Sequence, residues 1–284
     1  MGATDIMLLK FTKMEGAGND FIVVNAIDSP FRLNKEQIQK LANRHLGIGF
    51  DQLLVVEAAE NPKADFMYRI FNADGFEVSQ CGNGARCFVK YVHEKNLSDK
   101  KTITVETRSG LITPTLQDGG DVIVDMGMPR FSPPEIPLVM QAQQPTYSLI
   151  VDGETVVFSA VSMGNPHAVI RVDHVDTAPV LELGPVLEIH EVFPERVNVG
   201  FMEIISKDEI KLRVWERGAG ETLACGTGAC AAAVTGILSG SLNPKVRIQT
   251  RGGTLSVCWE GPGKSVLLSG PAVSVFEGEI LVND

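Results

Sequence analysis

Two short motifs carry the residue types that proton chemistry needs. They are Cys81-Gly82-Asn83-Gly84-Ala85 and Cys225-Gly226-Thr227-Gly228-Ala229, and 225 − 81 = 144 residues separate them. In each, a strand-like approach ends at a cysteine, two glycines bracket one polar residue, and a helical pattern follows at once. A thiol at a helix start lies beside unpaired backbone N–H groups and the positive end of the helix dipole. That placement favours the thiolate, so both thiols are expected to have lowered pKa values. The glycines let a ligand approach the backbone closely, and the same N–H groups can hold a carboxylate.

Inverting a carbon centre requires removing a proton from one face and returning one to the other. Two facing cysteines meet that requirement, one as thiolate base and one as thiol acid, with coupled titrations. The hydrogen alpha to an amino-acid carboxylate is a very weak acid. Hydrogen-bond donors aimed at that carboxylate in a water-poor cleft would stabilise the charge that develops as the proton leaves. The backbone then supplies what a cofactor otherwise would.

The motif belongs to a longer repeat. Arg69-Ile70-Phe71 answers Arg213-Val214-Trp215 and Glu77 answers Glu221, both at an offset of 144. Thr107 to Gly110 answers Thr250 to Gly253 at 143, while Gly18-Asn19 answers Gly164-Asn165 and Gln52 answers Asn198 at 146. Small, drifting offsets indicate a duplicated fold with altered loop lengths, and not a short-period solenoid.

With 284 residues, 44% of them hydrophobic and 21% charged, the chain has the composition of an ordinary soluble protein and is expected to form two domains. A formal charge of −10 argues against nucleic-acid binding, which concentrates Lys and Arg. Residues 1 to 12 lack the basic head, apolar run and cleavage site of a signal peptide, and no apolar run approaches the roughly 20 residues of a membrane helix. A cytoplasmic protein without membrane partners is the expectation. Five cysteines, with Cys81-to-Cys87 and Cys225-to-Cys230 spacings, form neither a secreted disulfide framework nor the CxxC pairs of a zinc site. Reduced thiols and no metal are expected, with Cys87, Cys230 and Cys258 as small packing residues.

Strand signals cover residues 21–24, 53–56, 102–107, 121–125, 168–172, 210–215 and 246–250, and helical periodicity covers 35–44. After Cys81, Ala85, Phe88, Val89 and Val92 form one apolar stripe, which predicts a half-buried helix. After Cys225, residues 229–238 are apolar or small on every side, which predicts an enclosed helix. Each half therefore reads as a curved sheet around a central helix. The prolines of residues 128–147 predict an extended connector.

The segments KMEGAGNDF (Lys13 to Phe21), GIGFDQLL (Gly47 to Leu54), FNADG and SQCGNGARC (Phe71 to Cys87), MGNPH (Met163 to His167), RVNVGF (Arg196 to Phe201) and WERGAGETLACGTGA (Trp215 to Ala229) closely resemble the diaminopimelate epimerase family, over almost the whole chain. The segment before Lys10 is an N-terminal extension, with Met7 as an alternative start. The resemblance implies a cofactor-independent isomerase that interconverts LL- and meso-2,6-diaminoheptanedioate in lysine and peptidoglycan-precursor biosynthesis. It implies an α+β fold of two pseudo-twofold-related domains, residues 1–125 with 271–284 and residues 126–270. Each would be a barrel-like, mostly antiparallel sheet around a central helix. A homodimer acting on a small diamino dicarboxylic acid is implied too.

By the same resemblance Cys81 and Cys225 are the proton donor and acceptor. Gly82, Asn83, Gly226 and Thr227 bind the carboxylate at the reacting carbon. Asn19, Gln52, Asn72, Asn165, Asn198, Glu216 and Arg217 make the remaining substrate contacts, and His167 and Glu216 tune the thiols. These residue types suit the work: Arg217 can clamp a carboxylate through two parallel bonds, while Glu216 and amide oxygens accept from an ammonium. Such a site rejects amino acids that lack the distal groups, because its own polar groups are then unpaired. A proline racemase-like or other amino-acid racemase on the same fold is the alternative, disfavoured by Asn72, Asn198 and Arg217.

Overall fold

The computed structural model describes residues 6–78 and 82–283. Contacts divide the chain into two units, Met1–Val124 with Gly270–Asp284, and Asp125–Ser269.

In the first unit the strands are β1 (Ile6–Gly16), β2 (Asn19–Asn25), β3 (Gln52–Ala58), β4 (Phe66–Asn72), β5 (Glu77–Val78), β6 (Val105–Thr107) and β7 (Gly110–Ile112). Helix α1 (Lys35–Ala42) lies between β2 and β3, and helix α2 (Gly82–Glu94) between β5 and β6. A hairpin of β8 (Thr115–Leu116) and β9 (Val122–Asp125) follows. The sheet order is the chain's last strand (Val273–Asn283), β1, β2, β3, β4, β6, β7, with β5 folded back on β4. The pairs β2/β3 and β4/β6 are parallel and the other neighbours antiparallel.

A parallel pair needs a crossover, and α1 supplies it, started by a capping box between Asn34 and Gln37. Its Ile38 and Leu41 pack on Ile22, Val24, Leu53 and Val55. The residues that alternate with these, Phe21, Val23, Leu54 and Val56, are also buried. They share their face with Phe66 and Tyr68 of β4, whose rings meet Phe88 of α2. The sheet is thus covered by α1 on one face and α2 on the other, the arrangement that suits parallel strands.

Helix α2 is more enclosed than its single apolar stripe predicts. Every residue from Asn83 to Val89 is buried, Arg86 completely. The reason is that β1 and the last strand also pack against it, and Arg86 Nε donates to the carbonyl of Pro271, just before that strand. The strand expected over 102–107 is shorter, Val105–Thr107. Its first residues direct their N–H groups elsewhere, Ile103 to the Pro114 carbonyl and Thr104 to the Asp65 carboxylate.

The second unit contains β10 (Tyr147–Val151), β11 (Glu154–Ser162), β12 (Pro166–Arg171), α3 (Val180–Glu188), β13 (Asn198–Ser206), β14 (Glu209–Glu216), β15 (Gly220–Thr222), α4 (Gly226–Leu238), β16 (Lys245–Thr250), β17 (Gly253–Cys258) and β18 (Leu267–Gly270). Strands β11 to β17 reproduce the pairing of β1 to β7 one by one, with β12/β13 and β14/β16 parallel and the rest antiparallel. Even the cross-strand ion pair is repeated: Arg69 with Glu77, and Arg213 with Glu221, each through two bonds.

Helix α4 is buried from Gly228 to Gly236 and touches β11, β12, β13, β14 and β17, so strands surround a helix that has no polar face. Helix α3, the counterpart of α1, gave no helix signal because Pro179, Gly184 and Pro185 read as breakers. Gly184 is what lets it approach β14, since a Cβ there would fall 2.7 Å from Trp215 Cβ. Within residues 128–147 the structure has a 3-10 turn at Pro133–Glu135 and a bridge from Arg130 to Ser162.

Candidate active site

The pairing senses gather the expected residues at one edge of each sheet. In the first unit the starts of β2 and β3 and the end of β4 lie together, with Phe21 beside Gln52 and Gln52 beside Asn72. In the second, His167 lies beside Asn198, and Val199 beside Trp215 brings the start of β13 to the end of β14. A helix start joins each group.

In the first unit Gln52 Nε2 donates to Asn72 Oδ1 at 2.8 Å, and Gln52 Oε1 is buried with no hydrogen-bond partner among the described residues. Asn83 is buried in the first turn of α2 and its Nδ2 lies 3.5 Å from Asn19 Oδ1. Asn19 Nδ2 donates to Asp51 at 2.7 Å. Burial raises the pKa of neighbouring Asp20, but bonds from Arg44 and Lys13 outweigh it and bring the value to about 2. Gly82 opens α2. Cys81 lies outside the described residues.

The second unit supplies the described thiol. Cys225 is the N-cap of α4, with extended backbone, and its sulfur accepts the Gly228 N–H at 3.4 Å. Gly228 lets this turn pack closely, because a Cβ would sit 3.2 Å from both Cys225 Cβ and Val214 Cγ2 and push those neighbours by a few tenths of an ångström. Thr227 Oγ1 lies 3.5 Å from the sulfur and 3.4 Å from Asn165 Nδ2. Asn165 Oδ1 in turn lies 3.0 Å from His167 Nε2. Burial, and secondarily the charge of Arg217, push His167 down to about 3, so the imidazole is neutral and donates from Nε2.

The expected lowering of the Cys225 pKa is not found. Burial, followed by the Glu216 carboxylate, pushes the thiol well up, against smaller lowering by Thr227 and the Gly228 N–H. Both effects outweigh what the helix start supplies. In this state Cys225 holds its proton at neutral pH.

Several residues that sequence reasoning did not single out position those it did. Thr222 Oγ1 donates to Glu216 at 2.5 Å. Glu188, nearly buried in α3, accepts from Trp215 Nε1 at 2.7 Å and from the Gly218 N–H at 2.8 Å, holding the turn that carries Glu216 and Arg217. Arg217 Nη1 donates to the Glu195 carbonyl. Two acids, Glu182 and Glu188, stand in the otherwise apolar α3, and nothing in the sequence separates the one that bonds Trp215 from the other. Among the described residues no group of three or more His, Cys, Asp or Glu side chains is placed to hold a metal ion.

Comparison with known proteins identifies the family. The sequence profile described as diaminopimelate epimerase matches residues 11–132 and 159–275. The chain belongs to the diaminopimelate epimerase family. It is 58% identical over 277 residues to the diaminopimelate epimerase of Aromatoleum aromaticum, covering 98% of this chain and 100% of that one. The corresponding protein of Nitrosospira multiformis is 57% identical over 274 residues, covering 96% and 99%. Like these family members, the chain is an isomerase.

Among solved structures, a hydroxyproline epimerase from Agrobacterium vitis superposes with a TM-score of 0.68 at 14% identity, covering 98% of this chain and 93% of that one. A Bacillus anthracis phenazine biosynthesis protein of the PhzF family gives 0.67 at 18%, covering 97% and 100%. What the chain shares with these two is the fold.

Proposed function

We propose that the chain interconverts LL- and meso-2,6-diaminoheptanedioate without a cofactor, Cys81 and Cys225 serving as the two proton-transfer groups. The observation that carries the reading is Cys225 capping α4, bonded by the Gly228 N–H on one side and faced by Glu216 on the other. A carboxylate at the reacting carbon suits the N–H groups at the starts of both helices, from Gly82, Asn83, Gly226 and Thr227, where helix dipoles favour negative charge. The same donors stabilise the enediolate-like charge as the alpha proton leaves.

The charge on Glu216 gives the substrate a part in activating the thiol. A substrate ammonium bonded to Glu216 offsets the carboxylate that holds the Cys225 proton, so the thiol releases that proton to solvent more readily as substrate binds and is left as the thiolate base. Cys225 then accepts the alpha proton on one face and Cys81 donates on the other, with roles exchanged for the reverse direction. Arg217 meets the distal carboxylate, and the acceptors Gln52 Oε1 and Asn72 suit the ammonium groups. The reaction would serve lysine and peptidoglycan-precursor synthesis in the cytoplasm, in a homodimer.

Purified, reduced protein given the LL substrate with no added cofactor tests this, with proline and trans-4-hydroxyproline in parallel and products separated by chiral chromatography. Formation of the meso isomer with neither imino acid turned over is expected. Turnover of proline or hydroxyproline in place of the LL substrate would refute the substrate assignment.

A further inference from the structure

Asn19 and Asn165 occupy equivalent places in the repeat, yet their amides are anchored by opposite ends. Asn19 Nδ2 donates to Asp51 Oδ2 at 2.7 Å. A carboxylate only accepts, so this bond fixes the amide oxygen as the end turned toward the start of α2, where Asn83 approaches it. Asn165 is held by its oxygen, through His167, and turns its Nδ2 to Thr227 at the start of α4. Since Gln52 answers Asn198, the counterpart of Asp51 is the preceding residue, Val197, which is buried and apolar. The anchoring carboxylate is a device of the first unit alone.

Asp51 is itself fixed from several directions. Arg44 Nη2 meets Oδ1 at 2.7 Å, and the Asp20 N–H donates to Oδ2 at 3.2 Å. The Asp51 N–H returns a bond to Asp20 Oδ1 at 3.0 Å, and its carbonyl accepts the Ala73 N–H at 3.0 Å. One residue therefore ties together the segments that carry Asn19, Gln52 and Asn72.

We propose that Asp51 is a positioning residue of the epimerase site, holding Asn19 with its amide oxygen toward the ligand so that the first unit offers an acceptor where the second offers a donor. An Asn19 amide turned the other way sets an NH2 group against a substrate ammonium and leaves both without a partner. The inference rests on the reaction proposed above.

The test compares kcat, KM and melting temperature on the LL substrate for the full-length wild type, Asp51→Ala, Arg44→Gln, Asn19→Ala and the Asn19→Ala/Asp51→Ala pair. Asp51→Ala is expected to lower kcat/KM about tenfold or more. Arg44→Gln loses the ion pairs but keeps the Asp51–Asn19 bond, and should stay within about threefold of wild type even where its melting temperature falls as far. With Asn19 already Ala, the Asp51 change should cost less than about twofold. Asp51→Val, which puts the residue type of position 197 at this place and has no acceptor, carries the same expectation and replaces Asp51→Ala if that variant fails to fold. Additive losses in the pair, or equal losses in Asp51→Ala and Arg44→Gln at matched stability, would overturn the inference. Wild-type protein without turnover overturns the reaction reading instead, whereas an active wild type with unimpaired Asp51→Ala overturns this inference alone.

Discussion

Asn198 Oδ1 accepts the backbone N–H of Arg217 at 3.0 Å, while its Nδ2 donates to the Pro166 carbonyl at 2.9 Å. The side chain is buried, so these bonds place Arg217 against β12 in a low-dielectric setting. Asn198→Ala is expected to strand both partners, lowering stability by about 1–3 kcal/mol. It should also raise KM about tenfold through the misplaced guanidinium. Urea unfolding and steady-state kinetics on one preparation check the two effects together.

His167 makes stability depend on pH. Its folded pKa, about 3, lies below the ordinary value of 6.5, so below that value the unfolded chain binds a proton that the folded chain refuses. Its contribution is complete above about 6.5 and falls by about 1.4 kcal/mol per pH unit toward 3. Denaturant titrations at pH 7 and pH 5 should show this slope in the wild type and a flatter one in His167→Gln. Equal slopes would mean that the imidazole is not held neutral.

Glu216→Gln removes the carboxylate that helps hold the proton on Cys225. Iodoacetamide alkylation of Cys225, followed by peptide mass spectrometry across pH, should then shift to lower pH. The same variant should lose turnover, because a neutral amide oxygen holds the substrate ammonium more weakly than the carboxylate does and no longer couples its charge to the thiol. An unshifted alkylation profile would separate Glu216 from the thiol's titration.

Gly184→Ala places a methyl group 2.7 Å from Trp215 Cβ and Cγ. Overpacking here is expected to cost about 1–3 kcal/mol, and to disturb the bond from Trp215 to Glu188 that steadies the turn bearing Glu216 and Arg217. Thermal unfolding measures the first effect and KM the second.

The duplication was legible because loop-length changes between the halves are small, so Asn19 and Asn165, or Gln52 and Asn198, stay aligned by offset alone. Enclosure of α4 was legible because residues 229–238 offer water no polar face. Helix α3 was not, since tertiary packing of Gly184 on Trp215 overrides the breakers that its sequence contains. Supporting carboxylates such as Asp51 and Glu188 follow no spacing rule, because they act across strands that only the fold brings together. The Cys225 pKa went the other way because burial and a facing carboxylate are three-dimensional facts, while the helix start is a local one.

The most direct test of a two-thiol mechanism is the early time course of the LL substrate in deuterium oxide, with unreacted substrate and meso product recovered separately. A two-base pair delivers a solvent deuteron to the inverted carbon, while unreacted LL substrate stays unlabelled at early times. The account predicts this pattern, and its loss in Cys225→Ala. Meso product that retains its original alpha proton would mean one group serving both faces, and would contradict it.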